Sequence, residues 1–241
     1  MPQRTSSADP EPSLPKADQV PLPDVKPAHQ RPELPDFWDH RFRSGTTPWD
    51  AGEAPPALCE FATDYYSAAG AGKEQSPPAE PGGMLQPPGV LIPGCGSAHD
   101  AAFLARQGWS VTALDFSEAA IDNARITVGA AWRGTLLCAD FFTFEPESLF
   151  DVVYERAFLC ALPRHLWPAY GQRVAQLLRP GGLLAGFFFF SEEAKGPPFG
   201  LLPRQLDALL QPELVRIAER PIDDSLPVFA GHEYWQIWQR R

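Results

Sequence analysis

The spacing of apolar positions changes period along this chain, and each change marks an element. Val90-Leu91-Ile92 is a short continuous apolar run that stops at Gly94-Cys95-Gly96, and the stretch after it, AHDAAFLARQG, is apolar at helical intervals. This predicts a strand at 90–93, a tight turn and a helix over about 98–107 that stops at Gly108. Ser97 and Asp100 have the spacing of a capping box, which would start that helix at the turn. The same alternation continues downstream: a strand at 110–114, a helix at 118–128 capped by Ser117, and strands at 135–138 and 150–154. A helix opening at Pro163 has apolar positions Trp167, Tyr170, Val174, Leu177 and Leu178 and ends at Arg179-Pro180-Gly181-Gly182. LLAGFFFF, 183–190, is apolar throughout, as a strand covered on both faces should be. A helix near 203–210 and strands near 212–219 and 229–239 close the chain.

Strand and helix in alternation imply an α/β fold with a doubly wound, mostly parallel seven-stranded sheet. The short connection before the last strand inserts that strand antiparallel.

Before Val90 the pattern is different. Residues 1–35 hold nine of the 28 prolines and no Phe, Trp or Tyr, so they read as a disordered tail ahead of one domain over 36–241. Asp36 opens an abrupt aromatic stretch, DFWDHRFRSGTTPWDAG. In it Phe37, Trp38, Arg41 and Phe42 fit a short helix ended by Ser44-Gly45, and Trp49 falls in a loop beyond a Thr-Thr-Pro turn. A helix follows at about 56–69, then a Pro/Gly-rich loop at 70–89 that should be mobile.

Composition narrows the function. A net charge of −10 argues against a nucleic-acid partner, and no apolar run reaches the roughly 20 residues of a membrane span. The N-terminus lacks the apolar segment of a secretory signal. Cys59, Cys95, Cys138 and Cys160 have neither zinc-ligand nor disulfide-framework spacing, so no metal is expected and a reducing cytoplasm is the simpler home. One domain of this size needs no oligomer, and a monomer is expected.

Candidate chemistry collects at the carboxyl ends of the predicted strands, where open α/β sheets bind ligands. Those ends carry Gly94 and Gly96, then Asp115, then Asp140, then Glu155 and Arg156. Asp115 stands 21 positions after Gly94, near the spacing at which a carboxylate meets ribose hydroxyls, and Asp140 falls where an adenine amino group could donate to it. An adenosine compound is implied. Arg156 offers a planar fork to a ligand carboxylate or, equally, to an acid of the protein. The third glycine of a dinucleotide fingerprint is replaced by His99, which counts against a nicotinamide dehydrogenase.

VLIPGCGSAHD, LDFSEAAI, ADFF, FDVVYERAFLCALP and LLRPGGLL together resemble the successive motifs of class I S-adenosylmethionine-dependent methyltransferases. FWDHRFRSGTTPWD followed by PGCG and YERAFLCALP is similar, more narrowly, to the thiopurine S-methyltransferase family with its halide/thiol branch. The resemblance implies S-adenosylmethionine as cofactor, with Trp38, Phe42 and Trp49 around it, Gly94, Asp115, Asp140 and Phe141 on its nucleoside, and Arg156 near its methionine part. It implies methyl transfer to a small thiol or thiopurine. Halide, sulfide or selenium and tellurium species are alternatives, because Thr47 to Asp50 is halide/thiol-like while Arg156 is thiopurine-like; a non-catalytic adenosine-binding module is another. No catalytic residue is singled out; Arg156, Glu155 and His232 are the candidates, and His232, which could assist deprotonation, reads better as a structural histidine. The acceptor pocket is expected between residues 37–49, the loop Ser191 to Gly200, and the Gly231-His232 bend.

Overall fold

The computed structural model describes residues 26–71 and 86–241. The tail at 1–25 and residues 72–85 of the Pro/Gly-rich loop lie outside the described residues. In chain order the elements are α1 (Pro35–Arg43), α2 (Pro56–Ala71), β1 (Gly89–Pro93), α3 (His99–Arg106), β2 (Ser110–Asp115), α4 (Glu118–Val128) and β3 (Thr135–Cys138). They continue with β4 (Phe150–Arg156), α5 (Trp167–Leu177), β5 (Leu178–Phe189), α6 (Pro203–Leu210), β6 (Leu214–Pro221) and β7 (Glu233–Arg240).

The seven strands form one sheet in the order β3-β2-β1-β4-β5-β7-β6. The first five are parallel to their neighbours, and β7 runs antiparallel between β5 and β6. The strand order reverses beside β1, which leaves a crevice above the carboxyl ends of β1, β2 and β4. That crevice positions the site.

Both faces of the sheet are covered, and alternate residues of each strand enter different cores. Val90 and Ile92 of β1 pack with Leu58 and Phe61 of α2 and Leu104 of α3, while Leu91 between them packs with Tyr170, Val174 and Leu177 of α5. In β5 and β7 the same alternation sends Phe187 and Trp235 to the first core and Phe188 and Trp238 to the second. Each such side chain contributes about 1.5–3 kcal/mol when fully buried. This explains why the central strands read as unbroken apolar runs.

Several boundaries differ from the periodicity. Leu178 leaves the helix with ψ 144° and pairs with Phe150, so β5 starts five residues before the apolar run. Gly182, where an added Cβ would lie 2.9 Å from the Arg179 carbonyl oxygen, lets β5 bend there and regain register with β4. Pro163 opens a single 3-10 turn at Arg164–Leu166, and α5 proper begins at Trp167. The Ser97–Asp100 capping box does not form: Ala98 is the N-cap of α3, with φ 60° and no side-chain cap. Ser117 does cap α4, its Oγ accepting from the Ala120 N–H at 3.1 Å. Residues 27–35, assigned to the tail by composition, lie against the domain; Ala28–Gln30 forms a 3-10 turn and Pro35 starts α1.

Glu155, near the end of β4, is 1% exposed and holds the chain below the crevice. Its Oε1 accepts from the N–H groups of Phe158 (2.9 Å) and Leu159 (3.0 Å), and its Oε2 accepts from the Tyr170 hydroxyl at 2.9 Å. Burial is the largest influence on this carboxyl and raises its pKa from 4.5 to about 7, in spite of the three donors. Between those values the folded protein holds a proton that the unfolded chain releases, so stability falls as pH rises through this window. We expect thermal unfolding from pH 5 to 8 to show this decline in the wild type and a flatter dependence in Glu155→Gln. The difference should approach about 3 kcal/mol at most; parallel curves for the two proteins would contradict it.

Candidate active site

A cavity of about 440 Å³ opens at the carboxyl ends of β1, β2 and β4, under α1 and the loop after it. Its floor is the turn after β1. Gly94 and Gly96 both have positive φ, 58° and 51°, which few other residues tolerate. A Cβ on Gly94 would meet the Phe158 ring at 2.4 Å, and one on Gly96 would meet Phe42 at 3.4 Å. The glycines therefore let two aromatic rings close down on the backbone. Ala98 and Ala157, at the two turns facing this floor, also have positive φ, a concentration of backbone strain typical of ligand sites.

Asp115 ends β2 and is 7% exposed. Its Oδ2 accepts from the Gly96 N–H (3.1 Å) and its Oδ1 from the Ser117 N–H (2.9 Å), which fixes the carboxylate against the glycine turn. Burial pushes its pKa up to about 6; the two N–H groups oppose this and the charge of Asp39 adds to it. Beyond β3, Asp140 lines the cavity and accepts from the Phe142 N–H at 2.8 Å, while Phe141 is buried and packs its ring on Phe158.

Arg156, at the end of β4, pairs with Asp100 in the first turn of α3 at 3.2 Å, and its guanidinium lies 5.5 Å from the Phe187 ring centre. Burial opposes the charge of Arg156, but Asp100, together with Tyr154 and Glu233, outweighs it and holds the guanidinium above its usual pKa. Burial likewise raises the Asp100 carboxyl, against the pull of Arg156. The acid that meets Arg156 is thus Asp100, partly buried across the crevice, and not the adjacent Glu155.

The roof is aromatic. Trp38 and Trp49 pack edge to face at 5.5 Å, as do Phe42 and Trp49 at 6.1 Å, and the three rest on Ala119 and Ala120 of α4. Asp39 locks this roof in place: its Oδ1 accepts from the Ser117 hydroxyl at 2.6 Å and the Ala119 N–H at 3.1 Å. Burial raises the pKa of Asp39, but these donors and Arg43 more than offset that and lower it. Periodicity gives no sign of this contact, because it joins residues 78 positions apart. Trp38 also donates its indole N–H to the Pro32 carbonyl at 2.8 Å, which brings Pro32, Glu33 and Pro35 into the cavity wall.

Trp38, Phe42, Trp49, Gly94, Gly96, Asp115, Asp140, Phe141 and Arg156 all line this one cavity. Glu155 and His232 do not. Glu155 points under β4, with both oxygens engaged. His232 is exposed, its Nδ1 2.9 Å from the Phe190 carbonyl oxygen, and the last wall is made by Val228 and Phe229 in place of the Gly231-His232 bend. The other expected wall, the loop after β5, contributes Pro197 and Pro198. Asp39, Asp100, Arg41 and Phe158 are the participants that spacing alone does not single out.

This arrangement brings a carboxylate beside glycine backbone, a second acid, a guanidinium and an aromatic enclosure to one cavity. No cluster of metal-ligating side chains occurs among the described residues. Nor, among them, is any helix long and apolar enough to cross a membrane.

The thiocyanate methyltransferase 1 of Brassica oleracea is 28% identical over 210 residues, 84% of each chain. The thiopurine S-methyltransferase of Vibrio cholerae is 31% identical over 192 residues, covering 73% of this chain and 80% of its own. Among solved structures, the Burkholderia thailandensis 1,6-didemethyltoxoflavin-N1-methyltransferase with bound S-adenosylhomocysteine aligns with TM-score 0.63 and 18% identity over 92% of this chain and 93% of that one, a likeness of fold. The thiopurine S-methyltransferase family model matches residues 83–240. Carrying that match across the whole sheet and the floor of the cavity, this chain belongs to the thiopurine S-methyltransferase family.

Proposed function

We propose that the cavity binds S-adenosylmethionine along the ends of β1 to β4 and presents it to a small thiol under the aromatic roof. S-Adenosylmethionine-dependent S-methylation is the activity of this family member; the residue roles and the acceptor are our reading. The observation that carries it is the buried Asp115 carboxylate, fixed by two backbone N–H groups against a turn that glycine makes without strain.

When bound, S-adenosylmethionine supplies an electrophilic methyl group on a sulfonium. Asp115 accepts from the ribose hydroxyls with its remaining lone pairs and would repel a phosphate at that position. Asp140 takes the adenine amino group, and Phe141 and Phe158 flank the nucleoside. Arg156, steadied by Asp100, meets the carboxylate of the methionine part. Gly94 and Gly96, both at positive φ, turn the chain so that main-chain atoms line the ligand's path.

Trp38, Phe42 and Trp49 exclude water and hold donor and acceptor in one geometry, which is most of what an in-line methyl transfer requires. The acids lining the cavity, among them Asp50, Asp115 and Asp140, favour a cationic sulfonium. No dedicated base is needed. Free thiols have a pKa near 8.5, so a modest fraction is thiolate at neutral pH, and the nearby sulfonium increases it. Glu155, whose oxygens are committed to Phe158, Leu159 and Tyr170, keeps a structural role in this scheme.

Asp115→Ala should weaken S-adenosylmethionine binding by roughly a hundredfold, the scale of two hydrogen bonds to a charged group. Calorimetry giving an unchanged affinity would remove the cofactor assignment. Headspace gas chromatography of the protein with S-adenosylmethionine and methanethiol should detect dimethyl sulfide, with iodide a poorer acceptor. Methyl iodide as the main volatile product would move the chain to the halide branch.

A further inference from the structure

Two guanidinium groups line the cavity, and they are not equivalent. Arg156 is paired with Asp100. Arg41, on the last turn of α1, has no ion pair and no side-chain hydrogen bond among the described residues. It is half-buried, with its guanidinium 4.5 Å from the Phe37 ring centre and 5.8 Å from that of Trp49.

Three acids near this end of the cavity are engaged elsewhere, and Glu53, which also lines it, makes no ion pair with Arg41. Glu33 pairs with Arg31 at 2.9 Å. Asp39 accepts from Arg43, Ser117 and Ala119. Asp50 accepts from the Gly52 N–H and faces His99 at 3.6 Å. A guanidinium stacked on aromatic rings satisfies its faces, but its N–H donors lie in its plane and need an acceptor.

Arg41 and the neighbouring Phe42 leave α1 in different directions. Consecutive residues of an α-helix diverge by about 100°; Phe42 faces Gly96 and α4, whereas Arg41 lies over Phe37, one turn back. The methionine carboxylate, on the reading above, already has Arg156.

Resting on that reading, we propose that Arg41 recognises the acceptor, and that the preferred acceptor is a small thiol carrying a carboxylate at its non-reacting end. The planar fork of Arg41 takes the carboxylate bidentately, and the aromatic rings behind it fix its orientation. Neutral thiols of the same size leave the fork facing water.

The test compares 3-mercaptopropionate with 2-mercaptoethanol, scored by S-adenosylhomocysteine formed, for wild type, Arg41→Gln and Arg41→Lys, with S-adenosylmethionine affinity measured by calorimetry. Wild type should prefer the carboxylated thiol. Arg41→Gln should lower the ratio of the two kcat/KM values by roughly ten- to hundredfold, mainly through KM. Arg41→Lys, which keeps the charge without the fork, should fall between them. An unchanged ratio in Arg41→Gln overturns the inference. So does an equal loss on both thiols with a parallel loss of S-adenosylmethionine affinity, which would assign Arg41 to the cofactor. Wild type that methylates both thiols without preference sinks this inference alone; wild type that binds S-adenosylmethionine and methylates no thiol sinks the small-thiol reading with it.

Discussion

The site depends on one knot of hydrogen bonds between three segments that are distant in sequence. Asp115 holds the turn after β1 through the Gly96 N–H and the start of α4 through the Ser117 N–H. Ser117 in turn donates to Asp39, which also accepts from Ala119. Floor, the start of α4 and roof are thereby joined through Asp115, Ser117 and Asp39. Asp39 at the N-terminus of α4 is also favoured by the helix dipole, which offsets part of the cost of placing a second carboxylate near Asp115. A nine-residue helix such as α1 is too short to be stable by itself, so its place over the cavity rests on these contacts and on the aromatic rings it buries.

Three acids around the crevice are accommodated in three different ways. Glu155 is surrounded by donors from its own turn and from α5, and works as a brace. Asp100 meets a guanidinium, forming a pair that spans the crevice between α3 and β4. Asp115 is held by backbone alone and borders the cavity, so it still has lone pairs for a ligand. The distinction between brace and binding group lies in what surrounds each carboxylate.

The same logic separates the two arginines. Arg156 has its charge balanced within the protein, which suits a group that orients one constant partner. Arg41 has only ring faces, which suits recognition of a ligand that comes and goes. The same side chain thus meets two different surroundings within one cavity.

Sequence by itself determined the alternation of elements, the glycine turn and the succession of acids at strand ends. These follow from local rules: period two or continuous apolar runs for strands, 3.6 for helices, and glycine where φ is positive. Asp115, Asp140, Arg156 and the aromatic segment were legible for that reason, since strand order and crevice position follow from the α/β pattern. Tertiary structure alone decided which polar groups meet. Glu155 and Arg156 are neighbours in sequence, but successive strand residues face opposite sides of the sheet, and so one braces α5 while the other enters the cavity. Asp39 to Ser117 and Asp100 to Arg156 are contacts across 78 and 56 positions, with no periodic trace in the chain. Composition did not place Pro32 to Pro35 at the cavity, and spacing did not exclude the Gly231-His232 bend from it, because loop paths depend on what packs beneath them. A side chain's identity fixes the hydrogen bonds it can make; only the packed fold fixes which of them are already taken.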